Sequence, residues 1–284
     1  MLIRKLESIA PLSDDERQAI LNLPAKTRAL RASQDIVRDG DKPSQCCLIL
    51  SGWAYRYKII GKGRRQIFSF HIPGDIPDLP SLHINTADHS LGTLTEATVA
   101  LIPHDSLRDL IARFPRVAAI LWRDTLVDAA IFREWMIGMG RRSALERIAH
   151  LFCELYLKLQ AVGLAESYRC SLPITQIDLG DALGLSNVHV NRVLQEMRRR
   201  RLITLRGHAL VIEDWDELNG LSEFDPTYLQ VEEQAAVRNA HSFRLPKPST
   251  EDSLTGRLGA PGVAVTGPAR LTPPALPRSA TQVP

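Results

Sequence analysis

"TQIDLGDALGLSNVHVNRVLQEMRRRRLI", Thr175 to Ile203, repeats an amphipathic pattern on either side of a glycine break and ends in four consecutive arginines. Thr175 precedes "QIDLGDAL", where Leu179, Ala182 and Leu183 recur at helical spacing, so the pattern predicts a helix capped by the threonine hydroxyl. Gly184 supplies the left-handed backbone that a tight helix-to-helix turn needs, Leu185 fills the angle, and Ser186 caps a second helix. Gly180 has no side chain, which lets the second helix cross close over the first. On that second helix Val190, Val193, Leu194 and Met197 share one side, and Val188, Asn191, Arg192 and Gln195, spaced i, i+3, i+4, i+7, share another.

The polar side has the chemistry of base readout. Arg192 can donate two parallel hydrogen bonds to guanine O6 and N7, Asn191 can pair with adenine or a phosphate, and Val188 can meet a thymine methyl. Thr175, Gln176, Ser186, Asn187 and His189 fall near helix starts, where hydroxyls, amides and backbone N–H groups hold phosphates. Beyond them "LITLRGHALVIED" predicts two short strands about Gly207, a wing with Arg206 and His208 at its tip. Between Ser171 and Ile212 there are six Lys or Arg (Arg192, Arg198, Arg199, Arg200, Arg201, Arg206) and three acids (Asp178, Asp181, Glu196). That local excess equals the net charge of the whole chain, +3, concentrated in one small unit. A helical hairpin inside an enzyme is the competing reading of the two helices alone. The turn glycine, both caps, the polar face, the arginines and the wing together favour nucleic acid.

Elsewhere, 284 residues with 44% hydrophobic content support more than one domain, while the near-neutral charge excludes a uniformly basic surface. From about residue 26 to 103 short β-like segments alternate with turns: "KTRALRA", "DIVRDG", "CCLILSGWAYRYKII", "RRQIFSFHIPGD" and "ATVALIP", at the intervals of a barrel or roll. "PRVAAILWRDTLVDAAIFREWMIGMG", from Pro115, predicts a long helix with its proline in the first turn and its end near Gly138 and Gly140. Its apolar residues occupy more than one face, so it buries two sides, one against its own β domain and one against a second subunit; a central helix of a monomer is the alternative. A further helix follows over "RRSALERIAHLFCELYLKLQAVG", with Leu145, Ile148, Ala149, Phe152 and Leu155 in register. The N-terminus reads as an amphipathic helix with Ser13 as a cap and lacks a secretory apolar core; with no membrane-length apolar run, a soluble cytoplasmic protein is expected. Cys46, Cys47, Cys153 and Cys170 form no C-x-x-C pair, the adjacent two falling on opposite faces of a strand. The expected fold class is α+β: an effector domain over 1–114, built as a double-stranded β-helix or jelly-roll-like β-roll, a long dimerisation helix over 115–140, and a winged helix-turn-helix over 141–222. Eight of the 18 prolines lie after Asn239, so a disordered tail is expected over 230–284.

This arrangement resembles the Crp/Fnr family of bacterial transcription regulators over about residues 1 to 220. "ITQIDLGDALGLSNVHVNRVLQEM" is similar to the family's "ITRxEIGxxxGxSxxTVxRxLxxL" pattern. The resemblance implies a homodimer formed through the long helix, a palindromic double-stranded DNA operator, RNA polymerase as a further partner, and a small-molecule effector docked in the β-roll. Arg192 matches the arginine that the family places on guanine. Val188 departs from it where many members carry a cytosine-reading glutamate, which points to a different operator.

The effector cassette departs further. Members that bind cyclic AMP have a glycine-glutamate pair for the ribose and an arginine-serine pair for the phosphate; here Pro77-Asp78 and His89-Ser90 stand near those places. A cyclic phosphate is a permanent anion, whereas His89 is mostly neutral at pH 7 and Asp75, Asp78 and Asp88 add negative charge, so cyclic AMP is disfavoured. Gly74, Asp75, Asp78, His89 and Ser90 remain the candidate effector pocket. No cysteine cluster of an iron-sulfur sensor is present, and His71, His83, His89 and His104 show no ligand spacing, so neither a metal nor another cofactor is expected. G-x-S-x-G, P-loop and H-E-x-x-H motifs are absent from the sequence, which excludes those enzyme classes. The expected function is a sequence-specific DNA-binding transcription regulator with a sensory β-roll whose effector is not cyclic AMP. The rival from another class is a ligand-binding signalling subunit whose winged helix makes protein contacts only.

Overall fold

Residues 1–230 are described by the structure, a computed structural model; apart from Gln230, the tail expected over 230–284 lies outside the described residues. Ser13 sets how the chain begins. Its hydroxyl accepts from the Glu16 N–H while the Glu16 carboxylate accepts from the Ser13 N–H, a capping box that starts α2 (Asp14–Leu21) after a break from α1 (Leu2–Ile9). The single expected N-terminal helix is therefore two.

Seven strands then build the roll: β1 (Lys26–Leu30), β2 (Asp35–Val37), β3 (Gln45–Ser51), β4 (Ala54–Ile60), β5 (Arg64–His71), β6 (Ser90–Thr93) and β7 (Ala97–Pro103). They pair antiparallel in two sheets, ordered β1-β7-β3 and β2-β6-β4-β5. Leu30, Val37, Cys47, Ile49, Ala54, Leu91 and Val99 form one core of the roll. Because the middle of β3 is covered on both sides, its alternating side chains from Cys46 to Ile49 are all buried. Cys47 joins that core, and Cys46 joins a second one made by α1, α2, β3, β7, α3 (His104–Arg113) and the start of α4 (Pro115–Arg141).

A third core runs from Trp53 and one face of β4 and β5 (Tyr55, Ile67, Phe70) through Ile131 and Trp135 of α4 and along the apolar side of α5 (Ala144–Ala161) into the C-terminal unit. Each large apolar side chain buried there contributes about 1.5–3 kcal/mol. The C-terminal unit holds α6 (Gln176–Leu183) and α7 (Asn187–Arg199), the strands β8 (Ala165–Glu166), β9 (Arg169–Ser171), β10 (Ile203–Arg206) and β11 (Ala209–Ile212) in the order β10-β11-β9-β8, and α8 (Trp215–Ser222).

The wing hairpin of β10 and β11 sits where the sequence places it, but it is half of a four-stranded sheet. β8 and β9 escape the pattern because they are two and three residues long and turn on Ser167 and Tyr168, both at positive φ without glycine. β6 escapes it because its central Gly92 lacks strand propensity; that glycine lies against the rings of Tyr55 and Tyr57.

Candidate nucleic-acid interface

α6 begins in a reciprocal cap. The Asp178 N–H donates to Thr175 Oγ1 at 3.1 Å, and the Thr175 N–H and hydroxyl both donate to Asp178 Oδ2, at 3.1 and 2.6 Å. Thr175 thus spends its donors inside the cap, and its part is to position α6 rather than to offer a hydroxyl to a phosphate. Gly184 closes α6 in the left-handed region at φ 66°. Gly180 matters for a reason other than helix crossing: a Cβ there would stand 2.7 Å from the Leu185 carbonyl oxygen, so it is the turn backbone that needs the space.

α7 divides as its periodicity predicts. Val190, Val193, Leu194 and Met197 are buried, and Val188 is 81% exposed, with Arg192 and Gln195 beside it in solvent. Ser186 caps the helix through the His189 N–H at 3.3 Å, which leaves the N–H groups of Asn187 and Val188 unused by the helix itself. The amides form a chain across the face: Gln195 Nε2 donates to Asn191 Oδ1 at 2.9 Å, and Asn191 Nδ2 donates to Gln176 Oε1 at 3.2 Å. Arg192 has no hydrogen bond or ion pair among the described residues, so its whole guanidinium fork is free for a partner.

Arg65, on the β-roll, decides the electrostatics of this surface. Its guanidinium donates to Asp178 Oδ1 at 2.7 Å, to Asp181 Oδ2 at 2.8 Å and to the Tyr55 hydroxyl at 3.0 Å, and lies 5.1 Å from the Tyr55 ring centre. Gln66 Nε2 reaches the Ala182 carbonyl at 3.2 Å, and Arg147 Nη1 the Leu183 carbonyl at 2.9 Å. β5 and α5 therefore hold α6 from two sides. The clamp also neutralises two of the three acids of the motif, and the third, Glu196, pairs with Arg199. Arg192, Arg198 and Arg206 remain exposed and dominate the local field. Nothing in the local spacing announces Arg65, because its two acidic partners lie more than a hundred residues along the chain.

The five candidate effector residues are each committed to a different partner. Gly74 turns at φ 103° against Met1. Asp75 is buried, pairs with Lys5, and accepts from the Ile72 N–H at 3.1 Å, with His71 Nδ1 at 3.3 Å. Burial opposes its charge, but Lys5 and His71 hold its carboxyl well below the usual range. Asp78 accepts from the Cys47 N–H at 2.7 Å, and burial raises its pKa to about 6. His89 packs edge-on against Phe68 and pairs with Asp88 at 2.6 Å; burial and then the nearby Arg56 lower its pKa. Ser90 Oγ accepts from the Asp39 N–H at 3.1 Å. Of the five, Asp75 alone lines the main cavity found among the described residues.

The four thiols do not converge on an iron-sulfur geometry. Cys46 and Cys47 lie in separate cores, Cys153 in α5 and Cys170 in β9, all buried; burial raises Cys46 and Cys153 to about 12 and Cys170 to about 11, whereas cluster ligation needs thiolates. No group of three or more His, Cys, Asp or Glu among the described residues is arranged to hold a metal ion.

Two family profiles match the chain: one described as a cyclic nucleotide-binding domain over residues 27–114, and one described as a Crp-like helix-turn-helix domain over residues 146–221. The anaerobic regulatory protein of Haemophilus influenzae is 28% identical over 217 residues, spanning 76% of this chain and 82% of that protein. Transcriptional activator protein FnrL of Cereibacter sphaeroides is 28% identical over 202 residues, spanning 70% of this chain and 81% of its own. Among solved structures, FixK2 from Bradyrhizobium japonicum is similar with a TM-score of 0.64 at 26% identity, covering 70% of this chain and 98% of that one.

Proposed function

We propose how the parts work together in a chain that belongs to the Crp/Fnr transcription regulators, DNA-binding proteins with a sensory domain and not enzymes. Two copies pair through α4, and the two α7 helices enter successive major grooves of a palindromic operator. The observation that carries this is the face of α7: Arg192 unpaired and exposed, aligned with Val188 and Asn191 on a helix fixed from behind by four buried side chains. Arg192 reads guanine, Asn191 reads adenine or grips a phosphate, and Val188 meets a thymine methyl. Gln176, Ser186, Asn187 and His189 hold backbone phosphates, with Thr175 setting the helix that presents them.

Pairing is supported by the free side of α4. Val117, Ile120, Leu121, Ile131 and Trp135 are buried, whereas Trp122, Leu126 and Met136 lie exposed at spacings of four and ten residues along another face. An apolar seam of that kind on a 27-residue helix is what a second copy covers. The activator names among relatives support RNA polymerase as a further partner. No helix among the described residues is long and apolar enough to cross a membrane, which is compatible with a cytoplasmic protein working on chromosomal DNA. The β-roll effector is a molecule other than cyclic AMP, since His89 stands where a phosphate-binding arginine would, and Asp78 is already occupied by the Cys47 N–H.

Selection of bound duplexes from a random pool tests this reading. A two-fold symmetric consensus with half-sites about one helical turn apart is the expected result, with affinity falling steeply as salt rises. Weak duplex binding that ignores salt would instead favour a winged helix that contacts protein only.

A further inference from the structure

Resting on the reading of the β-roll as a sensory domain, we propose that the cavity between α1, β5, α4 and α5 binds a small zwitterion with an apolar body, such as an aliphatic α-amino acid. The cavity measures about 80 Å³, against the ~10–15 Å³ that one water requires, so it has room for roughly five to eight water-sized groups. The walls come from segments scattered over the chain, among them Lys5, Arg56, Asp75, Asp124, Asp128 and Lys158.

The charges sort into two subsites. Asp124 and Asp128 stand one turn apart on the same face of α4. Lys5 Nζ takes one oxygen of Asp124 at 3.1 Å and Arg56 takes one oxygen of Asp128. The other oxygens, Asp124 Oδ2 and Asp128 Oδ1, have no partner among the described residues, and the two side chains keep 18% and 29% of their surface accessible. Burial raises the pKa of Asp124, with neighbouring Asp75 and Asp128 adding to the effect against Lys5. An incoming ammonium relieves that repulsion by bridging both free oxygens.

Lys158 makes the second subsite. Its ammonium donates to the Phe70 carbonyl at 3.1 Å and has no carboxylate within 4.0 Å among the described residues, so donors remain for a carboxylate. Ile9, Ile72, Val127, Ile131 and Val162 line the same cavity and supply an apolar wall for a short branched side chain. Neither a pure anion nor a pure cation fits both ends. The occupant touches α4, the roll and α5 at once, so its binding energy bears on how α5 and the winged helix sit against β5.

Thermal unfolding of the full chain with a probe series tests the assignment. L-valine carries all three features; isovalerate lacks the ammonium, isobutylamine the carboxylate and glycine the apolar body. Valine at a hundredfold excess over its Kd is expected to raise the midpoint by roughly 5 °C or more. The other three are expected to bind at least tenfold more weakly. Asp124→Asn and Lys158→Met are each expected to weaken valine at least tenfold while unfolding cooperatively without ligand. No shift with valine overturns the proposal, and so does isovalerate or isobutylamine binding as tightly as valine. The probe series on the unaltered chain decides the question even if a variant fails to fold. A symmetric operator consensus obtained with the ligand-free protein would leave the regulator reading standing while the cavity assignment alone fails.

Discussion

The exposed face of α7 and the charged cavity beside α4 use ionic groups in opposite ways. On α7 the guanidinium of Arg192 is free in solvent, on a helix whose other side is fully occupied by Val190, Val193, Leu194 and Met197. Around the cavity Lys5, Arg56, Asp75 and Asp128 are wholly or partly withdrawn from water and neutralise one another. An exposed cation loses little hydration when it meets a polyanion, so it serves an intermolecular contact. A buried one is tolerated only with a counter-charge, so it serves a fixed geometry. The acids of the DNA-facing motif obey the second rule even though they lie beside the first: Arg65 binds Asp178 and Asp181 and withdraws their charge from the surface.

Three variants bear on this contrast. The largest effect belongs to the hidden side of α7. Leu194→Ala removes a fully buried side chain and is expected to cost about 2–5 kcal/mol of stability in denaturant unfolding. An unchanged midpoint would show that this side of the helix is not core at all. On the open side, Arg192→Ala is expected to cost about 1–3 kcal/mol of duplex affinity and to relax choice at one base position, with the unfolding midpoint unmoved. A lowered midpoint would give Arg192 a structural task and blur the distinction between the two faces.

The effect that is smallest at each step is spread over pH and concerns Glu154, which is buried on α5 and accepts from Trp135 Nε1 at 3.2 Å and from the Tyr228 hydroxyl at 2.9 Å. Burial raises its pKa from 4.5 to about 7. The folded chain therefore keeps a proton that the unfolded chain has released, and the stability tied to it is complete below pH 4.5 and lost as pH rises to about 7. Burial and neighbouring cations act in the other direction on His71 and His150, lowering them to about 4 and 3, so they subtract stability as pH falls below 6.5. Comparison with Glu154→Gln cancels the histidines. The unaltered protein is expected to lose stability relative to the variant by at most about 1.4 kcal/mol per pH unit between those limits. Parallel curves across that window would mean that Glu154 is charged in the fold.

The sequence by itself determined the elements whose signal is local. Caps at Ser13, Thr175 and Ser186, the left-handed Gly184, the two faces of α7, the wing about Gly207 and the long helix from Pro115 all follow from backbone chemistry within a few residues. β6, β8 and β9 lay beyond it, since a strand of two to four residues around glycine or a turn exists only through its partners. The same limit governs function. Arg192 is legible because one helix defines its direction, whereas Arg65 joins Asp178 across 113 positions of chain and Lys5 joins Asp75 across 70. Which charges are spent on each other and which are left for a ligand is settled by burial, and burial is a property of the packed molecule that no stretch of its sequence holds alone.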